Sequence, residues 1–437
     1  MNLQFISLPW GKEELTMDLP AEWQVTRLEP SALPAAADTL EEARRSLASP
    51  ISMAPLSHLA KAGMKIALVV DDGSRPTPVA KILPAVMEEL QRAGVALSQV
   101  TVVPALGVHR PMDAEELARR LDGNWLSQMN WESPDCDDPA RLANLGVSSR
   151  GTPVLLNKTV AEADLVISIG CIEPHIIASF GGGYKNLFPG VAARQTIARN
   201  HALNCTPETF NMVGQPIDRN PMRMDLEECG RMLKPPVFIV NAVLNSALEV
   251  VRVVSGDPIA AHRAGAEVSA AIYGVRVPAP ADVVITGSHP MDQDLRQGVK
   301  ALANTIRAVK PGGVMLTLVK AEEGVGVFGL ANRKLPVGCR MLKLLAPLLL
   351  PRVPRLKLKG MGEEDRFFLY FALQAMRHAD LLLYAPTIPQ EIHERLPFVT
   401  FVNTVEEGLQ RARRRFPAQA NVLVFPFGGS TYPILPS

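Results

Sequence analysis

The feature that most constrains this chain is a unit repeated along its length: a short apolar run, a loop bearing Gly, Pro or charged residues, then a stretch with helical spacing of apolar positions. KIALVVDD leads through GSRPTP into VAKILPAVMEELQRAG, and VTVVPAL leads through GVHRP into MDAEELARRL. ADLVISIGCIEPH runs into a glycine-rich loop, and PPVFIVNAVLN precedes the helical pattern DPIAAHRAGAEVSAAIYG. Strands that alternate with helices pair in parallel and are covered by helices on both faces, which predicts an α/β fold with a doubly wound sheet. Ligands of such sheets bind where the carboxyl ends of the strands meet the loops.

Length divides this plan in two. A chain of 437 residues exceeds the roughly 250–300 residues at which single cores stop growing. The proline-rich segment VRVPAPAD, residues 275–282, reads as the hinge. Beyond it the alternation restarts with ADVVITGSHPMD, a helix over QDLRQGVKALANTIRAVK closed by PGG, and the strand VMLTLVK. ADLLLYAP and VLVFPFGG are further strands. The expected organisation is an N-terminal domain over 1–274, a C-terminal domain over 275–415, and a closing strand within 416–437 that can return to the first domain. Two mostly parallel sheets then face each other across a cleft. The opening LQFISLPW, Gly11-Lys12 and ELTMDLP read as a β-hairpin, and residues 36–62 as a helix with Pro50 near its end. Pro84 lies inside another predicted helix and is expected to kink it.

Composition narrows the partners. With 45 Lys and Arg against 44 Asp and Glu, there is no concentrated basic patch of the kind nucleic acid or an anionic membrane attracts. A small molecule is the expected partner. No stretch reaches the roughly 18 uncharged apolar residues of a spanning helix, and the start lacks the apolar core of a secretory signal. The five cysteines are scattered, form no CxxC pair and are odd in number, which argues against a disulfide framework and for a reducing cytoplasm.

Four loops carry residues suited to chemistry. Asp71-Asp72-Gly73-Ser74-Arg75-Pro76-Thr77-Pro78 offers hydroxyl groups, carboxylates and a planar guanidinium at a strand end, and is equally a capped turn before a helix. Gly107-Val108-His109-Arg110-Pro111 presents a histidine able to act as acid or base, or merely a surface residue. The third loop runs from His175 to Gly190 and contains Gly181-Gly182-Gly183-Tyr184-Lys185. Three glycines let backbone N–H groups approach a phosphate, and Lys185 can bind that phosphate or react through its amine; the bland alternative is a flexible turn with an exposed lysine. The spacing matches neither a Walker loop nor GxGxxG. His201 follows sixteen residues later and can ligate a metal, cap a helix or do neither. In the fourth segment, a helix beginning near Asp292 places Gln293, Gln297 and Lys300 on one face, fit either for a carboxylate or for solvent.

The ordered set DDGSRPTP, GVHRP, EPH…FGGGYKNLFPG…NH and HPMDQDLRQGVK resembles the lactate racemase family across nearly the whole chain. The resemblance implies two α/β domains, an interdomain active site and a nickel-pincer nucleotide bound through a lysine thioamide. By position, Lys185 matches the cofactor-bearing lysine, His201 the nickel ligand, and His109 and His175 the two catalytic bases. Asp72 and Arg75 match first-loop site residues, with Ser74, Gly182 and Gly183 near the cofactor phosphate. Gln297 and Lys300 match residues that hold the substrate. The implied reaction removes hydrogen from C2 of a 2-hydroxy acid as hydride, which avoids a carbanion beside a carboxylate, and returns it to the other face of the keto acid. Cofactor-maturation enzymes are the implied protein partners.

The chain departs from the family's lactate enzyme at three places. Tyr184 stands for an arginine and Arg296 for a tyrosine, and no tryptophan lies beyond Trp131, so Arg366 or Phe367 is expected in the place of a site tryptophan. These changes point to an acid other than lactate, larger or more polar, such as a dicarboxylate or sugar acid bound through Arg296. The competing readings are an NAD-dependent 2-hydroxy acid oxidoreductase, which the lack of a dinucleotide fingerprint disfavours, and an inactive homologue that binds a nucleotide or metal.

Overall fold

The computed structural model describes residues 3–326, 328–332, 334–356 and 365–436. The expected hairpin forms from β1 (Leu3–Trp10) and β2 (Glu13–Pro20), with Gly11 in the left-handed region at φ 62°. A short strand, β3 (Gln24–Arg27), follows. The first sheet contains β4 (Ile66–Asp71), β5 (Val100–Ala105), β6 (Asn130–Trp131), β7 (Leu165–Cys171), β8 (Val237–Leu244) and β9 (Val250–Gly256). Their order is β9-β8-β7-β4-β5-β6, parallel except at the β8–β9 pair. Every residue of β4, β7 and β8 is buried, as expected of strands covered on both faces.

The second sheet adds β10 (Ala281–Gly287), β11 (Val309–Leu318), β12 (Asp380–Tyr384), β13 (Thr400–Val402) and β14 (Asn421–Phe425). It runs β13-β12-β11-β10-β14-β3, parallel throughout. The fold is therefore the expected α/β arrangement of two parallel-dominated sheets, but the chain start belongs with the second. β3 pairs with β14, while Leu8, Trp10, Leu19 and Trp23 pack on Val283, Ile285 and Leu316. At the other end β14 stays in the second sheet, and Tyr432–Ile434 pairs with Gly274–Arg276.

Several local expectations shift. The helical stretch near residue 40 is two helices, Thr39–Ala48 and Leu56–Leu59, with Asp38 capping the first. The helix Val79–Arg92 carries Pro84 without ending there. Pro311-Gly312-Gly313 does not cap a helix but lies inside β11, where Gly312 takes φ 77°. The helix expected from Asp292 begins later, because Asp294 is its cap, accepting from the Gln297 N–H at 2.8 Å. It runs over Leu295–Gly298 and resumes as Lys300–Thr305. Gln293 therefore falls outside it and bonds Glu323 at the surface. Among the described residues no helix is long and apolar enough to cross a membrane, and all five cysteines are free.

Candidate active site

The winding of the first sheet gathers three of the chemistry-bearing loops. From central β4 the chain builds outward through β5 and β6 on one side, and β7, β8 and β9 extend the other. Loops leaving β4 and its two neighbours thus diverge around a crevice at one sheet edge, the usual ligand position in such folds. The β4 loop carries Asp72 and Arg75, the β5 loop His109, and the β7 loop His175. A cavity of about 460 Å³ opens there and is closed from the other half by Arg296, Gln297 and Lys300.

The His109 ring is held by a carboxylate. Its Nδ1 lies 2.5 Å from Asp72 Oδ2, and Asp72 in turn accepts from the Ser74 hydroxyl at 2.6 Å. Burial favours a neutral Asp72, but the contacts with His109, Ser74 and Arg75 outweigh it and hold the carboxyl well below its usual range. An ionised carboxylate can only accept, so Nδ1 carries the hydrogen and Nε2 offers its lone pair toward the Arg296 guanidinium, 3.3 Å away. His175 is the reverse. Its Nδ1 accepts from the N–H groups of Ile177 and Ala178, at 3.2 and 3.1 Å, which puts the neutral ring's hydrogen on Nε2. Burial, then Lys185, Arg75 and Lys300, depress the pKa of His175 well below the ordinary histidine value.

Lys185 and His201 line the same cavity. Desolvation, reinforced by Arg75, lowers the Lys185 amine to about 7. His201 falls to about 3, through burial and then the charges of Lys185 and Arg296, and its buried Nδ1 has no hydrogen-bond partner among the described residues. A neutral imidazole with a partnerless nitrogen and a readily deprotonated amine on one cavity wall have the chemistry to donate to a metal or to bond a cofactor.

The glycine run does different work from the one expected. Gly182 and Gly183 do not line the cavity. Gly181 N–H bonds Glu173 O at 2.7 Å, and Gly183 N–H bonds Asn241 Oδ1 at 2.8 Å, so these donors are used inside the protein. A Cβ on Gly182 meets Ile172 at 2.6 Å, and one on Gly183 meets Pro258 O at 2.9 Å, while both residues have positive φ. The glycines allow close packing that aims Lys185. Fully buried Arg223 clamps the same loop by donating to the carbonyls of Ala178, Phe180 and Gly182. Ser74 likewise stays off the cavity wall and acts on Asp72.

Tyr184 points away from the cavity, its ring against Gly230 of the helix Pro221–Arg231. In the helix Asp365–His378, Phe367 is buried and the Arg366 guanidinium reaches the carbonyl of Leu356. Phe368 is the residue of this pair-and-neighbour set that faces the cavity, one position beyond the expectation. Residues 362–364 of that expected stretch lie outside the described residues. Glu173, which the sequence left unselected inside EPH, bonds Arg75 at 2.5 Å. Asp71 is tied to Arg120 and Thr77. With those ions matched, Lys185, Arg296 and Lys300 line the cleft without a salt bridge among the described residues. Lys300 is lowered to about 8 by burial and then Arg75.

A crevice lined by an oriented imidazole, an N–H donor and cations without a salt bridge among the described residues has the makeup of an α/β enzyme site suited to acid–base chemistry. Comparison with known proteins makes the class specific. Residues 10–211 match the family model described as the lactate racemase N-terminal domain. The lactate racemase of Thermoanaerobacterium thermosaccharolyticum is 30% identical over 325 residues, 74% of this chain and 75% of that protein. That of Lactiplantibacillus plantarum is 27% identical over 97% of this chain and 98% of its own. The apoprotein structure from T. thermosaccharolyticum superposes with a TM-score of 0.82 at 25% identity, covering 99% of this chain and all of that one. The chain belongs to the lactate racemase family and is an isomerase.

Proposed function

We propose that the chain inverts C2 of a 2-hydroxy acid other than lactate by hydride transfer, with a nickel-pincer nucleotide carried on Lys185. The observation that carries this reading is the opening of His109, His175, Lys185 and His201 onto one cavity between the two sheets. The residues fit the group. The Lys185 amine is deprotonated near neutral pH and able to form a covalent bond. His201 is neutral, as a metal ligand must be, and its Nδ1 lacks a partner among the described residues. Such a group, when bound, supplies a hydride acceptor.

The remaining steps belong to the chain's own residues. Lys300, with Arg75 beside it, holds the substrate carboxylate, and Gln297 adds a polar contact. Asp72 fixes the tautomer in which His109 Nε2 takes the hydroxyl proton. His175, neutral with its hydrogen on Nε2, donates that N–H to the substrate oxygen and steadies the charge that develops there, and the proton His109 took returns to the oxygen when the hydrogen is handed back to C2. In this reading residues 1–274 carry cofactor and bases while the second half supplies substrate contacts. The chain works in the cytoplasm beside enzymes that mature the cofactor.

Mass spectrometry of protein from a host that makes the pincer tests this directly. A nickel-containing adduct is expected on the Lys185 peptide and absent from Lys185→Ala, which also loses racemisation. Racemisation by wild-type protein whose Lys185 carries no adduct contradicts the reading.

A further inference from the structure

The cavity has a second, chemically distinct end. Phe368, Phe371, Ala372 and Ala375 follow the i, i+3, i+4, i+7 spacing of one helix face, and all four line it. Leu383 of β12 and Phe398 face the same space. Among the described residues, every side chain from 368 to 399 that lines the cavity is apolar. An apolar wall of this extent, joined to a cluster of cations and histidines, matches a ligand with one anionic end and one greasy end. A second carboxylate is poorly served there. Arg296, on the same half of the chain, has its charge partly offset by Asp294 and Asp365 at longer range, and Asp365 itself lines the cavity. The two alanines are where the helix face leaves room.

We infer that the substrate is a 2-hydroxy acid whose C2 substituent is bulky and apolar, aromatic or branched, seated against the Phe368–Ala375 face. The inference rests on the racemase reading and deepens it: the acid is larger than lactate, but apolar where the sequence suggested polar. Hydrophobic pockets discriminate by roughly 10–200-fold per methylene-sized difference, so a phenyl group gives a readable preference.

Two measurements test this. The nickel-loaded protein is assayed for racemisation of phenyllactate, lactate and malate. A kcat/KM for phenyllactate at least about 10-fold above both others is expected, and Ala375→Phe should shrink that ratio. Lactate or malate turning over as fast or faster overturns this inference and leaves the racemase reading standing, whereas racemisation of none of a broad panel of 2-hydroxy acids overturns the reading itself. In parallel, calorimetry of the cofactor-free protein with phenylpyruvate, pyruvate and oxaloacetate should show phenylpyruvate bound at least tenfold more tightly, and no measurable preference counts against the proposal.

Discussion

Lys185 shows how far a single residue can be understood from its surroundings. Its amine sits among Arg75, Arg223 and Lys300, with Glu173 as the opposing charge, and desolvation adds to the cations to bring its pKa to about 7. The sign follows directly: a lowered lysine pKa means the neutral, nucleophilic form prevails above pH 7 rather than above about 10.4. Trace acylation of the cofactor-free protein, followed by peptide mass spectrometry, should give a Lys185 rate with a midpoint near pH 7. A midpoint near 10 contradicts the electrostatics described here. His201 lies in the helix Arg194–Ala202 and stood out only through its spacing from Lys185, but Lys185, His109 and His175, each in or beside a short, distinctive loop, were legible. Their partners were not. Glu173 meets Arg75 across 98 residues of chain and Arg223 meets Ala178 across 45, separations that local patterns do not encode.

At the level of elements, the same letters supported two structures. A triple glycine reads equally as a phosphate cradle or as a place where backbones pack too tightly for a Cβ, and the second is what Gly182 and Gly183 do. Gly183→Ala should therefore cost roughly 2–4 kcal/mol, from left-handed backbone strain plus the clash with Pro258 O. Denaturant unfolding measures this, and a change below about 0.5 kcal/mol would show that the loop is not so confined. The helix near residue 295 illustrates a related limit. Both Asp292 and Asp294 are plausible caps, but Asp292 is occupied by Ser288 and His289, so Asp294 caps and Gln293 is left outside. Of the stretch leading into the apolar face at 368–375 only Arg366 or Phe367 was expected at the site, since periodicity reports a buried face without saying whether protein or ligand covers it.

At the scale of the molecule, alternation of strand and helix was enough to expect two parallel-dominated sheets, because each unit follows a local pattern repeated along the chain. What it could not supply was the crossing of β3 into the second sheet and the placement of the opening hairpin over Val283 and Ile285. Those contacts join residues nearly 400 positions apart in the β3–β14 pair. The result is that both halves share one continuous core around the cleft, which lets Lys300 and Arg296 meet His109 and Lys185 across it. The central claim is that this cleft moves hydrogen with its electron pair between the faces of a keto acid. The most direct measurement is to racemise a C2-deuterated 2-hydroxy acid with the nickel-loaded protein in ordinary water, without nicotinamide. The account predicts that the product of opposite hand keeps its deuterium at C2; deuterium lost to solvent at each inversion would mean a proton was removed instead, and the account would be wrong.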